Sequence, residues 1–258
     1  MAADLPLARR DAILSRLAHG EPVVAAALAA EFAISEDAIR RDLRALAAQG
    51  LCRRVYGGAL PLVPGSTAIG ARIGADRERK RALARAAARL IRPGELVFLD
   101  SGSTNLALAE ILPEDLDLVV ATNSIPIAAE LLPRQDLRLI LVGGTVDPVV
   151  GGCVDAAAVL GVAALNIDRC FLGACAVEPA AGVSAFEAGD ATFKRALLAA
   201  SRHGLVLATS DKLGARAPHR LAPLDRLDRL IVEHDAEPAL LAALAHAGAR
   251  ILQAEPAT

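Results

Sequence analysis

Along the first sixty positions, apolar residues recur at the spacing of short amphipathic helices. Ile13, Leu14 and Leu17 share one side of a helix predicted over 9–18, and His19-Gly20-Glu21-Pro22 breaks it. An alanine-rich helix is predicted over 24–32, followed by the short gap Ala33-Ile34-Ser35. In the next helix Ile39, Leu43 and Leu46 lie at i, i+4 and i+7 and form one apolar stripe. At about 100° per residue, Asp37, Arg41 and Arg44 point the opposite way and Arg40 lies to one side. Ser35 suits the N-cap, and Glu36 and Asp37 suit the positive end of the helix dipole. Gly50 stops this helix. Residues 51–59 then read as a β-hairpin whose Gly57-Gly58 permits a tight turn.

The pattern changes after a Pro- and Gly-punctuated linker over 61–75. A basic, alanine-rich helix is predicted over 76–91, with Lys80, Arg81, Arg85 and Arg89 on a solvated face. Beyond Pro93-Gly94, near-continuous apolar strands alternate with helices. Strands are predicted at 96–99, 118–121, 137–142, 169–172, 205–208, 230–232 and 250–252, and helices at 106–112, 125–132 and 190–202, with a loop beginning at Gly182. Such strands imply a mainly parallel sheet covered on both faces. The expected architecture is a small all-α winged helix-turn-helix domain over 5–60, its helix-turn-helix at about 22–41, followed by an α/β domain over 76–258.

Composition narrows the class. The chain has 258 residues, 54% of them hydrophobic but only 2% aromatic, which suits Ala-, Leu- and Val-built helices and buried strands. It holds no continuous apolar run of ~18 residues, so no membrane span is expected. The first residues carry Asp4 and then arginines rather than an apolar signal core. Cys52, Cys153, Cys170 and Cys175 lack metal-ligand spacing, and His19, His203, His219, His234 and His246 lack it too. Reduced thiols and a cytoplasmic protein without metal or cofactor are expected. Net charge is −2; up to Pro64 there are eight arginines against seven acidic residues, and beyond it 20 basic against 23 acidic. Affinity for nucleic acid must therefore come from local placement, which favours a homo-oligomer, a dimer or tetramer, on repeated half-sites.

Two constellations carry chemistry. A helix that buries one face and offers arginines on the other fits a DNA major groove, and a basic hairpin beside it fits a wing on the phosphates or in the minor groove. The candidate DNA-binding residues are Ser35, Asp37, Ala38, Arg40, Arg41 and Arg44 on the helix, and Arg53, Arg54 and Tyr56 on the wing. The second constellation lies at the predicted carboxyl ends of strands, where ligands of open α/β sheets bind. Asp100, Ser101, Gly102, Ser103 and Thr104 precede one helix, and Thr122-Asn123 precedes another. Gly143-Gly144 ends a third strand, and Lys212 follows a fourth. Hydroxyls and free N–H groups at helix starts, glycines and an ammonium together suit a phosphorylated sugar or polyol.

The string Ile39-Arg40-Arg41-Asp42-Leu43, followed by Leu46, Gly50-Leu51, Arg53-Arg54-Val55 and Gly57-Gly58-Ala59, resembles the DeoR family of bacterial transcriptional repressors. Two positions depart from the family pattern: Ala38 stands where Thr is usual, and Tyr56 where His is usual. The resemblance continues through Phe98 to Thr104, Ala121 to Ser124, Leu141 to Gly144, Asp168 to Gly173, Asp190 to Ala196 and Ser210 to Gly214. It implies a sensor domain with a ribose-5-phosphate isomerase-like fold. It also implies that Asp100, the 101–104 loop, Asn123, Asp190, Lys194 and Lys212 face the ligand. Asp190 replaces the usual Glu, and Thr209-Ser210-Asp211-Lys212 replaces Asp-Ser-Ser-Lys. The expectation is a repressor of a carbohydrate operon that binds double-stranded operator DNA and answers a small phosphorylated metabolite. Two rival readings are a sugar-phosphate isomerase using Asp100 or Glu187 as base beside Lys212, and a DNA binder whose back domain only oligomerises.

Overall fold

The computed structural model describes residues 6–18, 22–49, 51–60 and 68–256. The chain divides into two compact units between Ala71 and Arg72.

The first unit comprises α1 (Pro6–Ala18), β1 (Val23–Val24), α2 (Ala25–Glu31), α3 (Glu36–Ala48), β2 (Arg53–Val55) and β3 (Gly58–Leu60). Ile39, Leu43 and Leu46 are buried as their spacing predicts, against Ile13, Leu17, Leu28 and Ala59. Ser35 caps α3, its Oγ accepting from the Ala38 N–H at 3.3 Å. The helix-turn-helix is built from α2 and α3, and α3 ends at Ala48, just before the expected stop at Gly50. The strands form one antiparallel sheet, β1-β3-β2. Gly58 is required where β3 meets β1, because a Cβ there would lie 2.1 Å from the Val23 carbonyl oxygen. The breaker over 19–21 and the stop at Gly50 lie outside the described residues.

In the second unit α4 (Ile69–Ile73), α5 (Arg77–Ala88), β4 (Leu96–Leu99), α6 (Ser103–Ala109), β5 (Val119–Thr122), α7 (Ile125–Leu131) and β6 (Arg138–Leu141) come first; α4 begins before the division. Then come β7 (Val146–Asp147), β8 (Gly152–Cys153), α8 (Ala156–Ala163), β9 (Ile167–Gly173), β10 (Ala176–Glu178) and β11 (Gly182–Ala185). The remainder is α9 (Ala188–Ala199), β12 (Ser201–Ala208), β13 (His219–Ala222), β14 (Arg229–Val232), α10 (Pro238–His246) and β15 (Ile251–Gln253).

Seven strands pair in parallel in the order β15-β14-β12-β9-β4-β5-β6. Alternate strand residues enter two separate cores. Phe98, Cys170, Val206 and Leu230 pack on one face with Phe193 and Leu197 of α9 and Leu244 of α10. Val97, Leu99, Phe171, Leu205 and Ile231 pack on the other with Leu83 of α5, Leu106 of α6 and Ile127 of α7. Burial on both faces is why these strands read as unbroken apolar runs.

Four expectations differ. Part of the linker over 61–75 is helical, as α4, and 61–67 lie outside the described residues. Gly182 opens a strand: β10, β11 and β13 form a separate antiparallel sheet. Helices α8 and α10 carry no predictive stripe because Ala156–Ala163 and Pro238–His246 are apolar almost all round. Finally, Lys80 is buried rather than solvated. Its ammonium donates to the carbonyls of Arg72 at 2.6 Å and Ala75 at 2.5 Å, tying α5 to the end of α4.

Candidate functional site

In the first unit, burial of the Ile39/Leu43/Leu46 stripe turns Asp37, Arg40, Arg41 and Arg44 outward, all four exposed. Arg40 pairs with Glu36 at 3.2 Å and Asp37 at 3.7 Å, and the Arg41 Nε donates to the Asp37 carbonyl at 3.4 Å. Arg44 has no ion-pair partner among the described residues. Ala38 is half-buried, and Ser35 is spent on capping. At the hairpin tip, Tyr56 is fully exposed beside Gly57, whose φ of +81° requires the freedom of glycine. Arg54 is exposed, and the Arg53 side chain lies outside the described residues.

Asp42, inside the basic string, does different work. It is only 3% exposed, with its Oδ2 accepting from the Arg9 Nε at 2.7 Å and its Oδ1 from the Arg10 Nε at 2.8 Å. This carboxylate pins α3 to α1 and so sets the angle at which the arginine face is offered. Sequence spacing marked the stripe but missed the tie, since Arg9 and Arg10 are over thirty residues away.

In the second unit, β4 lies between β5, which follows it, and β9, which enters from the other side. That reversal falls at the carboxyl ends of β4 and β9, the position at which open parallel sheets hold ligands in a crevice. Asp100, fully buried at the end of β4, accepts from the Gly173 N–H at 2.8 Å across the crevice. Gly173 must lack a side chain, because a Cβ would lie 2.7 Å from the Ser101 carbonyl oxygen. Lys194, 3% exposed on α9, places its ammonium 3.4 Å from the Asp100 Oδ2 and hydrogen-bonds Asp190 one turn away. Burial pushes the Asp100 carboxyl up to about 6, against the pull of Lys194. Burial also opposes the Lys194 charge, yet Asp100 and Asp190 together hold its pKa above the ordinary lysine value, so it stays protonated.

The surrounding loop residues divide by where their polar atoms go. The Asn123 Oδ1 accepts from the Ser101 N–H and its Nδ2 donates to the Cys153 carbonyl, both at 3.0 Å. Thr122 donates to the Leu99 carbonyl at 2.6 Å and accepts from the Ser124 N–H at 3.1 Å. These bonds orient the two side chains at the ends of β4 and β5, with one amide N–H of Asn123 engaged and the other not. Gly144 is also explained internally: a Cβ there would lie 2.3 Å from the Asp155 Oδ1, while Gly143 is exposed in open space. Gly102 faces Gly173, and Ser103 and Thr104 begin α6, buried, with the Thr104 Oγ1 lacking a partner. Lys212 lies half-buried in the turn after β12, and burial pulls its ammonium below the ordinary lysine value against the fields of Asp211 and Cys175.

The DeoR-like helix-turn-helix domain matches residues 9–62, and the DeoR C terminal sensor domain matches residues 75–234. The chain belongs to the DeoR family. Its first unit accordingly makes it a DNA-binding transcription regulator. Among curated relatives, the uncharacterized HTH-type transcriptional regulator YgbI of Escherichia coli strain K12 is 33% identical over 89% of this chain and 90% of its own. The glycerol-3-phosphate regulon repressor of the same strain is 30% identical over 80% of this chain and 82% of its own. Among solved structures, ribose 5-phosphate isomerase A from Methanocaldococcus jannaschii aligns over 54% of this chain and 55% of its own, with 17% identity and a TM-score of 0.40.

The DeoR-family sensor unit here also contains an arginine that sequence reading passed over. Arg72, on α4, donates through Nη2 to the Val149 carbonyl at 3.2 Å, and its Nε is buried without a partner. Burial lowers its pKa, with Cys175, Asp190 and Asp100 opposing that shift. No signal in the string marked it, because it sits in a stretch that reads as linker. Among the described residues, no helix is long and apolar enough to cross a membrane, and no group of three or more His, Cys, Asp or Glu could hold a metal.

Proposed function

We propose that this DeoR-family chain represses a carbohydrate-metabolism operon and is released by a phosphorylated sugar or polyol bound in the crevice between β4 and β9. The observation that supports it most is the buried Asp100–Lys194–Asp190 cluster at the sheet's reversal point. Lys212 and Arg72 supply positive charge near it, and Asp100 and the 101–104 loop supply polar groups. The E. coli relative named above is a repressor of the glycerol-3-phosphate regulon, which supports a phosphorylated polyol or sugar as the effector class here. On DNA, Arg41 and Arg44 read base edges while Arg54 and Tyr56 lie on the backbone or in the minor groove. The reading head is close to neutral, so the regulator works as a homo-oligomer on paired half-sites; Ile125, Leu132 and Leu160 are exposed apolar positions on α7, its C-cap and α8 that suit such contacts.

The enzyme reading is not favoured. Asp100, the base it requires, is fully buried and held by Lys194 and the Gly173 N–H, and Glu187 is exposed at the start of α9. The test is a thermal-shift screen of phosphorylated sugars and polyols, followed by titration of any stabilising compound into a complex with operator selected from random duplexes. Fluorescence anisotropy should fall as DNA is released. Absence of both stabilisation and release across the panel would refute sugar-phosphate control and leave a DNA binder with an oligomerising back domain.

A further inference from the structure

Arg72 occupies an unusual place. It is the first residue of the second unit, on a short helix that begins at Ile69 in the first. Its backbone is fixed by the Lys80 ammonium, which donates to the Arg72 carbonyl at 2.6 Å. Its side chain reaches the Val149 carbonyl, between β7 and β8. That turn leads directly to the crevice: the Gly151 carbonyl accepts from the Ile125 N–H at 3.1 Å, and the Cys153 N–H donates to the Asn123 carbonyl at 2.9 Å. Arg72 thus spans from the chain leaving the DNA-reading unit to the loop beside Asn123.

The guanidinium is not saturated. It carries five N–H donors, and the Nε is sealed from solvent with no acceptor. A buried donor without an acceptor costs free energy that an incoming anion would recover. Lys212 feels Arg72 and Lys80 as like charges, and Lys80 feels Arg72. Lys80 is engaged by two carbonyls, which leaves Arg72 and Lys212 as the cations free to face an anion. A planar guanidinium fits two phosphoryl oxygens at once, which an ammonium does not.

Building on the sugar-phosphate reading above, we propose that Arg72 binds the phosphoryl group of the effector and, in doing so, moves the segment that joins the sensor to the DNA-reading unit. Effector binding then draws the guanidinium off Val149 and shifts α4. Binding and release of DNA are coupled through one residue because it belongs to both the site and the connecting chain.

The experiment uses the full chain and three variants, Arg72→Gln, Arg72→Lys and Lys212→Ala. The probes are D-fructose 6-phosphate, D-glucitol 6-phosphate, sn-glycerol 3-phosphate and inorganic phosphate. Thermal shift reports binding, anisotropy on selected operator reports release, and circular dichroism confirms folding. The expected result is that R72Q weakens the responding sugar phosphate about tenfold or more, as loss of a charge-assisted contact implies. R72K should bind more tightly than R72Q, yet release DNA less completely than wild type at saturation. If wild type responds and R72Q binds the same compound equally well, Arg72 is not the phosphoryl contact and only this inference falls. If R72K binds and releases like wild type, the coupling role falls. If wild type responds to no probe, the sugar-phosphate reading fails and takes this inference with it. Should R72Q not fold, R72K against K212A decides the same points.

Discussion

The tie between α1 and α3 offers the sharpest test of how the reading head is built. Asp42→Ala removes a carboxylate that is 3% exposed and receives the Arg9 and Arg10 guanidinium groups at 2.7 and 2.8 Å. The Arg9 side chain is 11% exposed and the Arg10 side chain 35%. Solvent screens much of the second pair, so most of the loss comes from Arg9, left half-sealed beside an empty acceptor site. Breaking a largely buried charge pair of this kind costs about 3 kcal/mol. A unit of about 55 residues holds only about 3–8 kcal/mol in all, so the variant should leave much of the first unit unfolded near 37 °C. Thermal melts of the full chain by circular dichroism should show early loss of helix signal, with the α/β unit melting unchanged. Operator affinity should fall in parallel and recover on cooling. The double variant Arg9→Met, Asp42→Leu should regain part of the stability, since replacing a whole buried pair by apolar groups is often neutral. If Asp42→Ala melts like wild type but loses operator binding, Asp42 contacts DNA and the tie is not what it does.

Arg41→Ala and Arg44→Ala should each cost ~1–3 kcal/mol of operator affinity per lost base contact, without lowering the melting temperature, because neither touches the Ile39/Leu43/Leu46 stripe; unchanged gel-shift affinity in both would displace the reading face. Gly58→Ala should destabilise the first unit and weaken DNA binding, since its Cβ would lie 2.1 Å from the Val23 carbonyl oxygen; a wild-type melt would mean that β1 and β3 can separate freely. Asp100, raised from 3.8 to about 6, binds a proton in the folded chain at pH values where the unfolded chain has released it. Its contribution to stability is therefore full below pH ~4 and is lost as pH rises through 6. The stability of wild type relative to Asp100→Asn should fall between pH 4 and pH 6.5 in urea melts; a flat or rising difference would show that burial does not dominate at Asp100.

Local patterns decided much of this protein. The stripe on α3 and its Ser35 cap are short-range facts, set by helix periodicity and backbone sterics, and the string alone located them; the hairpin turn falls one residue before the expected Gly57-Gly58, at Tyr56-Gly57. The alternation of apolar strands and helices likewise specified a parallel sheet with strand ends worth searching, because burial on both faces leaves no polar side to read. What the string left open depends on partners distant along the chain. Nothing near Asp42 announces Arg9, and nothing near Asp100 announces Gly173 or Lys194, over seventy residues on. Nothing near Asn123 and Thr122 in the string announces the Ser101 N–H and the Leu99 carbonyl that the sheet brings beside them. Lys80 read as part of a solvated face, and only packing buried it; Arg72, in a stretch that read as linker, is half-buried with its Nε sealed from solvent. A side chain's type states which bonds it can make; only the tertiary structure decides which of them the fold has already used and which remain for a ligand.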